Sequence, residues 1–261
     1  MKRLLLVFLT SFMAMEVFAL TGYEIMQKVD QRKVGDSSKS NSTMILIDED
    51  GNQRERKLVS FSSKKDGIRK SLMFFDSPPD MKGTGFLSYN YEDIAKDTDQ
   101  WLYLPALSKV KRIASGDRGG AFLGSDFNYS DLTGFELEDW DFTLAEEEKV
   151  EKYDTYKIDA LPKSEPITQK YGYKKATLWV VKDIWVMIKA QNYLLKEGNT
   201  KRMIGKDLKQ IDGIWTLQST KMTTYQGKKA HHSTIMLAND TQYNISISDD
   251  IFTERQLSKG L

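Results

Sequence analysis

Cysteine is absent from all 261 residues. That excludes a disulfide framework, a thiolate metal site, a cysteine nucleophile and a lipid-modified N-terminal cysteine. Histidine is nearly absent. His231 and His232 are adjacent in sequence and cannot build a multi-histidine metal centre. Neither charge sign is in surplus, with 38 Lys+Arg against 37 Asp+Glu, so the basic excess that nucleic-acid binding needs is missing. Mean hydropathy is −0.50 and 29% of residues are charged, which excludes a polytopic membrane protein. No nucleic-acid partner is expected.

Catalytic signatures are missing too. There is no Gly-x-Ser-x-Gly elbow and no Gly-x-x-x-x-Gly-Lys phosphate loop. Asp48-Glu-Asp-Gly-Asn52 begins like a calcium loop, but Val59 stands where the twelfth-position ligand belongs, so the stretch reads as a hairpin turn. Glu136/Glu138 and Glu146–Glu148 read as solvated strand faces that discourage edge pairing. The two histidines read as alternate residues on opposite faces of a strand. The sequence therefore leads to no expected catalytic residue, metal ligand or cofactor.

What is present begins with an export signal. Lys2 and Arg3 precede the apolar run 4–12, and Val17-Phe18-Ala19 supplies the small −3 and −1 residues of a cleavage site after Ala19. The run falls short of the roughly 20 residues that a membrane span requires. Removing it takes two basic residues and one acidic residue, which leaves the charges balanced. Residues 20–261 carry no repeat, low-complexity tract or linker and read as a single exported domain, expected in the periplasm.

That domain opens with a helix. Thr21-Gly22-Tyr23-Glu24 fits a capping box, Leu20 and Ile25 sit at staple positions, and Gly35 stops the stripe of Ile25, Met26 and Val29. Strand patterns then follow near 41–50, 53–64, 67–75, 85–91, 99–104 and 109–114. A second series lies near 139–148, 153–161, 173–182, 184–195, 199–211, 214–225 and 229–242. Asp50-Gly51, Asp66-Gly67 and Asp212-Gly213 fall between such runs as hairpin turns. Consecutive hairpins predict a mainly β, antiparallel meander. Pro78 and Pro79 interrupt it, and Pro162 and Pro166 mark a second break. Residues 115–135 form a long connection rich in glycine and aromatics, and 248–257 read as a short helix.

Alternation places Trp101 with Tyr103, Trp179 with Val181, Trp185 with Met187 and Trp215 with Leu217 on shared faces. Phe74 or Phe75 joins them, depending on register, and we take Phe74. An ordinary β-core and a ligand cavity both fit this pattern. In the cavity reading, a curved sheet of about a dozen strands is too wide to fill with its own side chains. Phe74, Trp101, Tyr103, Trp179, Trp185, Met187, Trp215 and Leu217 would line the space. Phe122, Leu123 and Phe127 would close it as a lid, hinged at Gly119, Gly120 and Gly124.

Three stretches carry a family resemblance: 73–87 (Met-Phe-Phe-Asp-Ser-Pro-Pro-Asp-Met-Lys-Gly-Thr-Gly-Phe-Leu), Trp101-Leu-Tyr-Leu-Pro105 through Gly124-Ser-Asp-Phe-Asn-Tyr-Ser-Asp-Leu132, and the tail Asp249-Asp-Ile-Phe-Thr-Glu-Arg-Gln-Leu257. The chain resembles the LolA/LolB superfamily, specifically its outer membrane lipoprotein-sorting branch. The resemblance implies an α+β fold: an unclosed antiparallel β-barrel of roughly 11–13 strands with helices covering its open, concave side. It implies a non-enzymatic carrier of lipid or lipoprotein acyl chains. It further implies an inner-membrane donor, such as a resistance-nodulation-division type exporter, and an outer-membrane acceptor. An accessory protein docking onto such an exporter is the alternative.

Overall fold

The structure is a computed structural model that describes residues 20–260. The expected signal, 1–19, lies outside the described residues. Helix α1 (Gly22–Gln31) starts as its sequence predicts. The Thr21 hydroxyl accepts from the Glu24 amide at 3.2 Å, and the Glu24 carboxylate accepts from the Thr21 amide at 2.8 Å.

Thirteen strands follow: β1 (Ser37–Ile47), β2 (Gln53–Lys65), β3 (Ile68–Ser77), β4 (Gly85–Tyr91), β5 (Asp99–Leu104), β6 (Lys109–Arg112), β7 (Trp140–Val150), β8 (Tyr153–Pro162), β9 (Tyr173–Val181), β10 (Met187–Leu194), β11 (Asn199–Ile211), β12 (Ile214–Gln226) and β13 (Lys229–Tyr243). All belong to one antiparallel sheet in the order β6-β5-β4-β3-β2-β1-β13-β12-β11-β10-β9-β8-β7. Two meanders, β1–β6 and β7–β13, are thus fused through the β1–β13 pair, which runs from Ser38 opposite Tyr243 to Ile47 opposite Ser233. The sheet is not closed: its edges, β6 and β7, do not pair. Two Asp-Gly turns behave as expected, with positive φ at both residues of Asp66-Gly67 and of Asp212-Gly213. At 48–52 the Asp48 carboxylate instead accepts from the amides of Asp50 and Asn52, at 3.0 and 2.9 Å.

The edges are consecutive in the chain, so residues 113–139 must run from one to the other. They do so as a series of short 3-10 turns packed on one face of the sheet, here called the inner face. Alternation sorts β2–β5 cleanly. Leu58, Phe75 and Phe86 face the connection and pack around Phe122. Val59, Phe74 and Leu87 face the other way. That outer surface is buried as well, because the C-terminal segment lies on it. Phe252 and Leu257 of the last turn and of helix α3 (Glu254–Lys259) are fully buried against it. The expected single helix over 248–257 is therefore two pieces, divided where Thr253 caps α3 by accepting from the Gln256 amide at 3.1 Å.

One element is absent from the sequence reading. Residues taken as a proline-marked break form helix α2 (Glu165–Tyr171). Pro166 sits in the first turn, where no amide donor is needed, and Gly172 stops the helix at φ +73°. This end of α2 meets Gly119 backbone to backbone. A Cβ on Gly119 would lie 2.6 Å from both the Gln169 carbonyl oxygen and the Gly172 nitrogen. Gly119 is a packing glycine rather than a hinge. Gly119→Ala should lower unfolding stability by about 1–3 kcal/mol through overpacking. Gly116→Ala, where a Cβ meets nothing, should leave the denaturation midpoint unchanged.

Candidate functional site

The inner face is banded. One row crosses the sheet through Ile158, Leu178, Ala190, Met203, Met222, Thr234 and Leu46, each opposite the next. The neighbouring row runs through Ala176, Asn192, Lys201, Thr224 and His232. The first is apolar apart from Thr234. The second is polar apart from Ala176 and nevertheless buried or half-buried, with Lys201 only 7% exposed. Buried polar groups need partners, and the connection supplies them.

Asp126, 3% exposed, is the main tether. Its carboxylate accepts from the Thr224 hydroxyl at 2.5 Å and the Thr234 hydroxyl at 2.7 Å, and His232 Nδ1 lies 2.7 Å away. Its amide donates to Thr234 Oγ1 at 3.0 Å. The Asn128 side chain accepts from Lys201 Nζ at 2.6 Å and donates to the Tyr171 carbonyl at 2.9 Å. Asp131 accepts from the Tyr173 hydroxyl at 2.8 Å and from the Asn128 amide at 2.7 Å. Burial pushes the Asp131 carboxyl up, with the Lys201 charge opposing. Burial likewise holds the Lys201 ammonium down, against Asp131 and Asp126. Burial first, then Asp131, drives the Tyr173 phenol well above its usual range. His232 and Thr224 both engage Asp126 rather than each other, so no histidine-activated hydroxyl is formed. His231, as expected, points the other way, toward Glu49.

A second tether holds the start of the connection. Arg118, 3% exposed, forks onto Asp97 at 2.8 and 2.9 Å and also donates to the Thr98 carbonyl. Lys170 joins Asp97, Glu136 and Asp139 at 3.0, 2.8 and 2.9 Å.

Between these tethers and the apolar row lies a cavity of about 160 Å³. Phe127, Phe135 and Gly134 of the connection form one side. Met187, Ala190, Met203 and Met222 of the sheet form another, with Tyr171 beside them. Ser130, Asp131, Tyr173, Asn192 and Thr220 add a polar margin. The Oδ1 atom of Asn192 is buried there without a hydrogen-bond partner.

The residues singled out from sequence are scattered. Met187 lines the cavity, and Trp185 packs against the same core. Trp185 does not share a strand with Met187: at φ +56° it belongs to the 182–186 turn, and it stacks on Tyr156. Phe74, Trp101 and Tyr103 share a face, but it is the outer one, under Phe252 and Leu257. Phe75 holds the inner position instead. Trp179 lies opposite Leu178's face, with Lys189 Nζ 3.9 Å from its ring centroid, Lys157 beside it and its indole N–H on Glu148. Trp215 and Leu217 form a separate cluster with Val181, Val186 and Ile188. Of the lid residues, Phe127 lines the cavity. Phe122 is fully buried between Phe75 and Phe86, and Leu123 packs alongside. Sequence reasoning missed Met203, Met222, Asn192 and Lys201. The turn at Gly198 pairs Asn192 with Lys201, and counting back from it would have found the polar row.

Two outcomes test the tethers. Asp126→Ala should cost about 2–4 kcal/mol by stranding buried donors, and hydrogen exchange over 118–131 should accelerate more than over β8–β9. Burial pushes the Asp97 carboxyl up, but the hydrogen bonds and charges of Arg118 and Lys170 outweigh it and hold the carboxyl at about 2. A depressed carboxyl contributes stability fully above its ordinary value of 3.8 and loses it as pH falls toward about 2. Asp97→Asn should flatten the pH dependence of the unfolding midpoint across that window.

The geometry has counterparts. A family model described as an uncharacterized protein matches residues 67–259. The chain matches no curated protein. Among solved structures, an outer membrane lipoprotein-sorting protein domain from Vibrio parahaemolyticus is 31% identical, with a TM-score of 0.81 over 91% of this chain and 98% of that one. A DUF1329 family protein from Desulfovibrio piger is 28% identical, with a TM-score of 0.81 over 90% and 97%. A LolA superfamily protein from Nitrosomonas europaea shares the fold at 20% identity, with a TM-score of 0.66 over 91% and 100%. The likeness to the Vibrio domain covers nearly all of both chains, and by it the chain belongs to the outer membrane lipoprotein-sorting protein family, with the unclosed sheet that the LolA superfamily protein also shows.

Proposed function

We propose that this protein is a non-enzymatic carrier that shelters acyl chains of a lipid or lipoprotein between its inner face and the 113–139 connection. The observation that carries the reading is the cavity itself, an apolar space walled by Met187, Met203 and Met222 on one side and Phe127 and Phe135 on the other. Unbranched, polarizable methionine side chains adapt to ligands of variable shape. The Vibrio relative is named for lipoprotein sorting, which agrees with an acylated cargo. In this reading residues 1–19 direct export, residues 20–261 form one carrier domain, and the protein works in the periplasm. It takes cargo from an inner-membrane donor, such as an exporter, and delivers it to an outer-membrane acceptor.

Size dictates how the carrier loads. Ligand pockets commonly run from about 300 to 1,000 Å³, and 160 Å³ falls short of that. The described state is therefore the closed one, and loading requires the connection to lift. Each buried CH₂ contributes about 0.8 kcal/mol, so a long acyl chain gains on the order of 10 kcal/mol gross. Release needs an opposing term. Re-forming the contacts of Asp126 and Asn128 with the polar row, and of Asp131 with Tyr173, supplies it.

The test is lipid mass spectrometry on protein purified from a periplasm, together with titration of a fluorescent fatty acid. Stoichiometric acyl species are expected. Met203→Trp should fill the cavity and cut affinity at least tenfold, whereas Asp126→Asn should speed uptake. A protein free of lipid, or a Met203→Trp variant that binds as well as the parent, would overturn the carrier reading.

A further inference from the structure

A second cleft, with none of the cavity's residues in its walls, opens where α1 ends. Its volume is about 320 Å³, and Arg32, Lys33, Gly35, Asp36, Lys64, Arg69 and Asn244 line it. Gly35, at φ +76°, turns the chain out of α1 and into β1. A Cβ there would press to 3.0 Å of the Tyr243 ring and 3.2 Å of Ile214. That turn sets Arg32 across from Arg69 of β3.

The two guanidinium groups are half-buried and under-used. Arg32 donates to the Trp215 carbonyl at 3.4 Å, and Arg69 to the Gly35 carbonyl at 3.3 Å. Both bonds are long, and each guanidinium carries five donors. Among the described residues, no carboxylate lies within salt-bridge distance of Arg32, Lys33 or Arg69. Glu92, near enough to act on Arg69 electrostatically, is held by Lys64 at 2.5 Å. Asp36 remains as the one acidic residue in the wall. Four cations thus face Asp36, the already paired Glu92 and Asp30, which also acts on Arg69 across space. Burial holds the Arg32 guanidinium below its usual range, and the charge of Arg69 adds to it. Two arginines brought together with no carboxylate in direct contact repel, and burial strengthens the repulsion. A protein that gains nothing from this arrangement would separate them or place an acid between them. Elsewhere Arg112 is paired with Asp99, and the buried Arg118 with Asp97.

We propose that this cleft is an anion site for a phosphoryl group, held by the forks of Arg32 and Arg69 with Lys33 at its rim. Paired guanidinium groups match the oxygens of phosphate two at a time. The surplus positive charge suits a dianion. The same chemistry is offered by free phosphate and by the headgroup of an acidic phospholipid. The site does not depend on the carrier reading, since neither its residues nor its ligand contacts belong to the cavity.

The experiment titrates the full chain at low salt, first with inorganic phosphate and then with dihexanoyl phosphatidic acid. Binding is followed by NMR at the Gly35 amide and at the side-chain Nε–H of Arg32 and Arg69. Saturable shifts at these groups are expected. The double variant Arg32→Gln/Arg69→Gln should weaken binding tenfold or more. Arg69→Lys, which keeps the charge and loses the fork, should fall between. In phosphate-free buffer the double variant should unfold at or above the parent's temperature, because the repulsion is gone. Should it fail to fold, the two single Gln variants carry the same comparison. Equal affinity for both ligands assigns the site to free phosphate, and at least tenfold tighter binding of the phosphatidate assigns it to a lipid headgroup. Absence of saturation with either ligand by about 10 mM, or equal binding by the Gln variants, overturns the proposal.

Discussion

Everything on the inner face depends on how residues 113–139 are held down. The two edge strands of the open sheet, β6 and β7, follow one another in the chain, so the link between them has no route except across the sheet. A connection of this length brings polar backbone with it, which must be paired wherever it is buried. The 3-10 turns pair much of it locally, as in Ser125 to Phe122 and Thr133 to Ser130. Side chains do the rest. Asp126 and Asn128 reach partners on the polar row, Asp131 reaches Tyr173 at the start of β9, and Arg118 fixes the beginning of the segment to Asp97. The cavity exists because the connection is anchored at these polar points and does not settle onto the methionines beside them.

In the proposed carrier cycle, banding sets what it costs to lift such a cover. A connection packed only through apolar side chains would cost its full burial to lift, with little to replace it. Here Phe127 borders the cavity, so a ligand entering beneath it would exchange one apolar contact for another. The contacts broken outright are polar, and water can satisfy those groups once they are exposed. Their net worth is correspondingly modest, about 1.5–3 kcal/mol for each bond to a charged group. Removing the cover also exposes Lys201, whose charged form burial holds down while the connection is in place.

All thirteen strands were legible from the sequence because turn chemistry and alternation agree along most of the chain, and Asp66-Gly67 and Asp212-Gly213 take the backbone that those pairs favour. Helix α2 was not, because two prolines within five residues read as a break, although Pro166 in a first turn costs a helix nothing. The cavity was less legible still, for two reasons. Alternation tells which residues share a face and not which face it is. Trp101 and Tyr103 do lie together, yet the tail bearing Phe252 and Leu257 covers them instead of the connection. Size also misleads. Tryptophan draws the eye as a ligand wall, but Trp179 packs among lysines outside, and the wall is built from Met203 and Met222. Nothing in the sequence marks Asn192 and Lys201, since only tertiary contact reveals that the connection buries them.

The cavity's one unsatisfied atom bears on what enters it. Asn192 Oδ1 is buried with no donor, while Lys201 beside it donates to Asn128 and Asp131 accepts from the Asn128 amide. A wholly apolar chain would leave that oxygen unpaired and would gain only from the methionine and phenylalanine walls. A cargo with an amide or hydroxyl near its acyl chain could pair with Asn192 without disturbing Lys201. A buried acceptor left alone costs about 1–3 kcal/mol, enough to separate such cargo from a plain hydrocarbon by roughly tenfold. Replacing Asn192 with Leu should erase that difference. Binding of a plain fatty acid and of an N-acyl amide, measured side by side on the parent and on Asn192→Leu, reads it directly: preference for the amide is expected in the parent and equal affinity in the variant, and equal preference in both would assign Asn192 no part in recognition.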